Sequence, residues 1–381
     1  MHILHVTPHL PPDQAANALL PWQLGVCARE HGDTVEYVAH PPRAAGATPL
    51  PGRVVWVPRR KGNSIDRRLR LGAVITGWRV WNALMPALQR ADVVHVHSNG
   101  LLSELAVLLA RRRMKPVVLT LYGTEIWHYR RRKLGPDLFT RAYAAASAVT
   151  FYSERLLAYA RELGLTRRNM DTVYPPVGFQ FRWHDEDAQA AARAALGISN
   201  RHLLLNVKRL HPLAGQRCLL EAMNEIVRPH PDTRLVICGE GPLRHELKAI
   251  ARSAGVERHV TFAGLVDNAV IPAYCAAADV FVLPSLLEAL PTVVVEALAC
   301  GTPVISTDNP GGVELNDVFG PDVAIVPREN PMALAAAINY FLEHKRRTSA
   351  GTRQSIEQEF RPHTVASRYR AIYEQLLGER T

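Results

Sequence analysis

Residues 279–306 read DVFVLPSLLEALPTVVVEALACGTPVIS, and the stretch carries its own punctuation. Asp279–Leu283 and Pro303–Ser306 are short apolar runs of the kind that form buried strands. Between them Pro291 suits the first helical position, Gly301 the position just past a helix end, and Pro303 bars continuation. The helix so bounded is roughly ten residues long and almost wholly apolar, so it is predicted to be buried.

A buried helix start leaves its first peptide N–H groups, here near Thr292 and Val293, without intrahelical partners. Their partial positive charge makes that end a receptor for phosphate. Glu296 follows one turn along the same face. A carboxylate there is costly unless something hydrogen-bonds to it, and a pair of ribose hydroxyls beside a diphosphate would do so. Glu288, in the loop ahead of the helix, is placed to reach whatever the diphosphate carries.

The same rhythm runs outward in both directions. Apolar runs at His2–Val6, Thr34–Ala39, Asp92–His97, Val117–Leu121, Ala148–Tyr152, Leu203–Val207, Leu235–Gly239 and His259–Gly264 alternate with helix-length segments. Together with the first two they give ten strands, an α/β chain of βαβ units with parallel sheets. Ten strands exceed one comfortable open sheet, so two doubly wound, Rossmann-like domains are predicted. Tyr174-Pro175-Pro176-Val177-Gly178 forbids continuing helix or central strand and marks the boundary. Residues 1–177 form the first domain and 178–361 the second. A helix within 362–381, carrying Val365, Tyr369, Ile372, Tyr373, Leu376 and Leu377 as its apolar residues, packs back onto the first. Two such domains facing a cleft bind ligands at the carboxyl ends of their strands.

Composition narrows the partners. The 381 residues carry a formal net charge of +10. Residues 1–175 hold 24 Lys/Arg against 12 Asp/Glu, and the rest hold 21 against 23, so the excess lies in the first half. It clusters at Arg59-Arg60-Lys61, Arg67-Arg68 with Arg70, Arg111-Arg112-Arg113 and Arg130-Arg131-Arg132-Lys133. Such a face binds phosphates. Nucleic acid is disfavoured, because zinc-finger spacing, aromatic RNP patterns and heptads after a basic region are all missing. From Arg59 to Trp81 basic residues interleave with Leu69, Leu71, Val74, Ile75, Trp78 and Trp81. That pattern suits an anionic membrane surface or, equally, a solvated helix with one face in the core. There is no run of eighteen apolar residues, and MHILHVTPHL lacks the basic flank of a signal peptide, so the expected location is cytoplasmic. Five cysteines without CxxC spacing read as buried reduced thiols.

Glu288, seven intervening residues and Glu296, within PSLLEALPTVVVEALACGTPVIST, resemble the signature of retaining glycosyltransferases of the GT4 family, which have the GT-B fold. The likeness extends to GEGPLRHEL at Gly239, FAGLVDNAVIPAYCAAADVFVLPS, PGGVEL after Pro310, DVVHVHSNG and VVLTLYGTE. It implies an enzyme that takes a nucleotide-sugar in its second domain and an acceptor in its first. By motif position Glu296 would bind the ribose and Glu288 the donor sugar. The amides of Thr292 and Val293, reached through Leu290 and Pro291, would meet the diphosphate, Arg209 would neutralise it, and backbone near Val266 would read the base. Fixed cations and dipoles rather than a metal or cofactor then stabilise the leaving diphosphate. The implied acceptor is a glycan or lipid-linked hydroxyl in cell-surface polysaccharide synthesis, at the inner face of the membrane, with a UDP- or GDP-sugar as donor.

The chain departs from the family at three places. Ala214-Gly215 stands where Lys-Gly is usual, and Lys208 is not expected to substitute, since its neighbour Arg209 points the other way. Pro11-Pro12-Asp13-Gln14-Ala15-Ala16 replaces a glycine-rich turn. Thr120-Leu121-Tyr122-Gly123 replaces Thr-x-His-Gly, and tyrosine is a poor proton acceptor near neutral pH. On the acceptor side this leaves Glu125 as a base or as an arginine partner, Tyr122 as a hydrogen-bond donor, and one of His95 and His97 facing the ligand. These departures also motivate the alternative, a catalytically impaired GT-B protein that binds nucleotide-sugar as a partner subunit. Asp185-Glu186-Asp187 fits a metal-binding DxD pattern but reads as helix N-terminal charge. Gly239-Glu240-Gly241 lacks the third glycine of a dinucleotide fingerprint and reads as a tight turn. Oligomeric state is not legible.

Overall fold

The computed structural model describes residues 1–13, 15–44, 46, 48–59, 71–131 and 137–379, and the side chains of 71–74 are not among them. Arg60, Lys61, Arg67, Arg68, Arg70, Arg132 and Lys133 of the basic clusters therefore lie outside the described residues, as do Leu69 and the side chains of Leu71 and Val74.

The chain divides into two units, Met1–Pro176 with the segment from Pro362 onward, and Val177–Arg361. The first is built on seven strands: β1 His2–Thr7, β2 Thr34–Ala39, β3 Arg53–Trp56, β4 Val93–His97, β5 Val117–Leu121, β6 Ala148–Phe151 and β7 Met170–Thr172. They pair in parallel in the order β3-β2-β1-β4-β5-β6-β7. The second unit has β8 His202–Val207, β9 Thr233–Cys238, β10 Val260–Gly264, β11 Val280–Leu283, β12 Val304–Thr307 and β13 Val323–Val326, parallel in the order β10-β9-β8-β11-β12-β13. All ten strands expected from the sequence form. The three it missed, β3, β7 and β13, each lie at a sheet edge. A strand with one neighbour is not forced to be apolar throughout, and the RVVW of β3 leaves both its ends exposed.

In each sheet the order reverses once, between β1 and β4 and between β8 and β11. In open α/β sheets ligands sit at the carboxyl end of that reversal. The second core gathers Leu219, Leu220 and Met223 of the helix Gln216–Val227, with Leu235, Ile237, Val282 and Ile305 of the sheet. In the first unit, Val365, Tyr369, Tyr373 and Leu376 of the helix Pro362–Gly378 pack with Leu20 and Leu24 against Ile3, Val93 and Val118. All five cysteines are free and buried. Among the described residues no helix is long and apolar enough to cross a membrane.

Candidate active site

The segment that opened the sequence reading forms β11, a loop and the helix Thr292–Ala299, with Pro291 as its N-cap. Pro291 lends no side-chain hydrogen bond to the helix start, so the first amides keep their partial charge for a ligand. Val294, Val295, Ala297, Leu298 and Ala299 are buried, and the helix is held by packing. At its far end Gly301 N–H donates to the Leu298 carbonyl and Thr302 N–H to that of Ala297, both at 3.0 Å, with Gly301 at φ +92°. That is a Schellman closure, and it needs the left-handed glycine.

Glu296 projects from this helix. It is partly exposed as a residue, and its carboxyl group makes no hydrogen bond or ion pair with any described residue. Desolvation alone pushes it up to about 7. A carboxyl group with no partner, raised one turn inside an uncapped helix start, is arranged for something other than stability.

The loop ahead of the helix is clamped from behind. Gly311 N–H donates to the Glu288 carbonyl at 3.0 Å, and a Cβ on Gly311 would come within 2.7 Å of the Ala289 carbonyl and 2.9 Å of Pro291. Asn309 caps the next helix, Pro310–Phe319, by accepting from Gly312 N–H at 2.9 Å. The PGG of PGGVEL therefore lets one helix start lie against the loop that leads into the other. Leu290 and Pro291 are buried in this contact.

Arg209 follows β8, is exposed, and its guanidinium has no partner among the described residues. Val266 follows β10, half-buried, at the same carboxyl edge. Beside Arg209 the structure differs from the sequence reading. Lys208, expected to turn away, places Nζ 2.6 Å from Glu288 Oε1, because its four-carbon stem reaches across where a short side chain would not. Ala214 is buried on the turn Pro212–Ala214. The glycines of Gly239-Glu240-Gly241 serve backbone approach, since Cβ atoms there would collide with the carbonyls of Lys208 and Leu210. Asp185 accepts from Ala188 N–H at 2.9 Å and caps the helix Glu186–Ala195.

The candidates of the first unit are hydrogen-bonded within the protein. His95 and His97, two residues apart on one strand, face the same way, and both are fully buried beside His5. His97 shares a hydrogen bond with His5 at 3.0 Å and another with the Tyr122 hydroxyl at 2.8 Å, so neither His97 nor that hydroxyl is presented to a ligand. Glu125 is buried and takes the Ser98 hydroxyl at 2.5 Å and the Gly123 and Tyr122 amides at 2.9 and 3.2 Å. It locks a turn, and no arginine among the described residues pairs with it. One nitrogen each of His5, His95 and His97 lie within 4.8 Å of one another. His95, however, already bonds Tyr373 and Thr120 at 2.6 and 2.7 Å, so hydroxyls hold the cluster together.

Sequence reasoning missed His9. Its Nδ1 is 2.8 Å from Asp13 Oδ2, while Asp13 Oδ1 accepts from the amides of Arg43 and Ala44 at 2.7 and 2.9 Å. The i, i+4 spacing after β1 was the available signal.

With this geometry in place, the comparisons with known proteins are specific. The family described as "Glycosyl transferases group 1" matches residues 188–359, and "Glycosyltransferase Family 4" matches residues 22–180. A glycogen synthase of Mycobacterium tuberculosis is 30% identical over 303 residues, 74% of this chain and 69% of that one. The chain belongs to the GT4 family of glycosyltransferases. A GDP-mannose-dependent alpha-(1-6)-phosphatidylinositol monomannoside mannosyltransferase of Mycolicibacterium smegmatis is 34% identical over 173 residues, 44% of this chain and 45% of the relative's length. HepE of Anabaena, solved in complex with UDP-glucose, superposes with a TM-score of 0.74 at 20% identity, over 98% of this chain and all of that one. The fold of this GT4 member is GT-B.

Proposed function

We propose that this protein is a retaining, metal-independent glycosyltransferase that moves a sugar from a UDP- or GDP-sugar to a hydroxyl of a glycan or lipid-linked acceptor in cell-surface polysaccharide synthesis. The observation that carries the reading is Glu296, a desolvated carboxyl group without a partner among the described residues, one turn from the free amides of Thr292 and Val293. A ribose diol would satisfy the first and a diphosphate the second.

In this reading the bond from the anomeric carbon to the diphosphate oxygen breaks as the helix amides and Arg209 take up the developing charge. The acceptor oxygen attacks from the same side, its proton passes to the departing diphosphate, and configuration is retained. Charge stabilisation of this kind needs no metal ion. Tyr122, His97 and Glu125, being engaged elsewhere, take no part.

Membrane attachment on the cytoplasmic side is part of the proposal. Trp78 and Trp81, three residues apart on the helix Leu71–Arg90, are 66% and 44% exposed, and Trp56 is 40% exposed. Exposed indoles that follow basic clusters in the sequence suit an anionic lipid interface.

The test is incubation with UDP-, GDP- and ADP-sugars and membrane lipid extracts, read as sugar transfer. Failure of every donor, with binding of a nucleoside diphosphate retained, would favour a non-catalytic nucleotide-sugar-binding subunit. Glu296→Ala is expected to weaken nucleotide affinity by about 1–3 kcal/mol, and unchanged affinity removes the ribose assignment.

A further inference from the structure

In the second sheet the strand order reverses between β8 and β11, the place where open α/β sheets bind ligands. Lys208 leaves the end of β8, and Glu288 belongs to the loop after β11. Their head groups meet across the reversal at 2.6 Å, with both side chains largely covered. Each end is fixed through its backbone. Lys208 N–H donates to the Cys238 carbonyl at 3.0 Å, and its own carbonyl lies where a Cβ on Gly239 would be. The Glu288 carbonyl is held by Gly311 N–H. The structure thus keeps an ammonium group at a set place, bonded to a carboxylate four residues ahead of the helix start at Thr292.

A largely covered ion pair is a weak stabilising device, because desolvation offsets most of the Coulomb attraction. It is an effective way to keep a cation ready at a ligand crevice until an anion arrives. Position 214, a buried alanine, supplies no charge there.

We propose that Lys208 is the second cation of the nucleotide-sugar site, an inference that rests on the reading above. In the free protein Lys208 is held by Glu288. When donor binds, the ammonium bonds the diphosphate, and the Glu288 carboxylate is released to the hydroxyls of the donor sugar. No buried charge is left alone in either state. Nucleotide and sugar are thereby coupled, since the sugar supplies the partner that Glu288 gives up to the phosphates.

The experiment is calorimetric titration of the full chain with UDP, GDP, ADP and inorganic pyrophosphate, for the wild type, Lys208→Met, Lys208→Arg and Glu288→Gln, with melting curves to check that each variant folds. Lys208→Met is expected to weaken the nucleotide that the wild type binds by roughly ten- to a hundredfold and to flatten its salt dependence. Lys208→Arg keeps most of the affinity. Glu288→Gln, which removes the internal competitor, binds the bare nucleotide at least as tightly as the wild type. Equal affinity of wild type and Lys208→Met overturns the inference while the nucleotide-sugar reading stands. Equal weakening by Lys208→Met and Glu288→Gln also overturns it, since Lys208 would then only position Glu288. If no nucleoside diphosphate binds the wild type, the nucleotide-sugar reading fails first and this inference with it.

Discussion

Desolvation pushes the Glu296 carboxyl group up from its ordinary 4.5 to about 7, with no hydrogen-bond or ion-pair partner among the described residues. A carboxyl group raised on folding contributes its full stability below pH 4.5 and loses it as the pH rises through 7. Replacing it with an uncharged isostere therefore relieves a cost at alkaline pH. Glu296→Gln is expected to raise stability by about 3 kcal/mol at pH 8 and by little at pH 4, which melting temperatures at the two pH values would check. Nucleotide affinity of the wild type should rise between pH 6 and pH 8, as the carboxylate that accepts from ribose forms, and should be flatter in Glu296→Gln. The placement of Glu296 was legible because its helix is apolar on every other side. The fates of Tyr122, His97 and Glu125 were not legible, because each depends on residues far off in sequence: His5, 92 residues from His97, and Ser98, 27 residues from Glu125.

The helix Thr292–Ala299 is the element on which the proposed chemistry turns, and its boundaries could be read in advance from Pro291, Gly301 and Pro303. What secures its far end could not. Arg347, 47 residues beyond Cys300, donates to the Cys300 carbonyl at 2.6 Å, and to the carbonyls of His184, Ala278 and Ala276 at 3.0, 3.2 and 3.3 Å. One guanidinium thereby satisfies the ends of two helices and the strand entry between them, where backbone carbonyls would otherwise be left dry. Arg347→Met is expected to cost about 2–4 kcal/mol, measured as a shift in the urea midpoint with the nucleotide site chemically untouched. No local sequence signal marks Arg347, since it lies in a short connection beside Lys345 and Arg346.

Across the molecule the least predictable feature is polar. His5, His95 and His97 are wholly buried in the first unit, with Tyr369 and Tyr373 of the C-terminal helix against His95. Burial lowers all three, His5 to about 3. An unfolded chain takes up these protons from about pH 6.5 downward while the folded one does not, so stability falls as the pH drops. The unfolding free energy from urea titrations should decline between pH 7 and pH 5, by up to roughly 4 kcal/mol per pH unit if all three imidazoles stay neutral in the folded protein; a flat profile would show that they take up protons as readily folded as unfolded. By itself the sequence determined ten of the thirteen strands, the α/β class, and the apolar helix Thr292–Ala299 with Glu296 in it and Glu288 ahead of it; its motifs carried the resemblance to the family. The strands, the class and the helix are set by periodicity and by backbone rules acting within a few residues. Tertiary structure alone decided that Lys208 reaches Glu288, that three histidines share one dry cluster, that Arg347 closes the helix Thr292–Ala299, and that Glu125 bonds Ser98. A side chain's partner is chosen by whatever the fold brings within about 3 Å, and that distance is independent of separation along the chain.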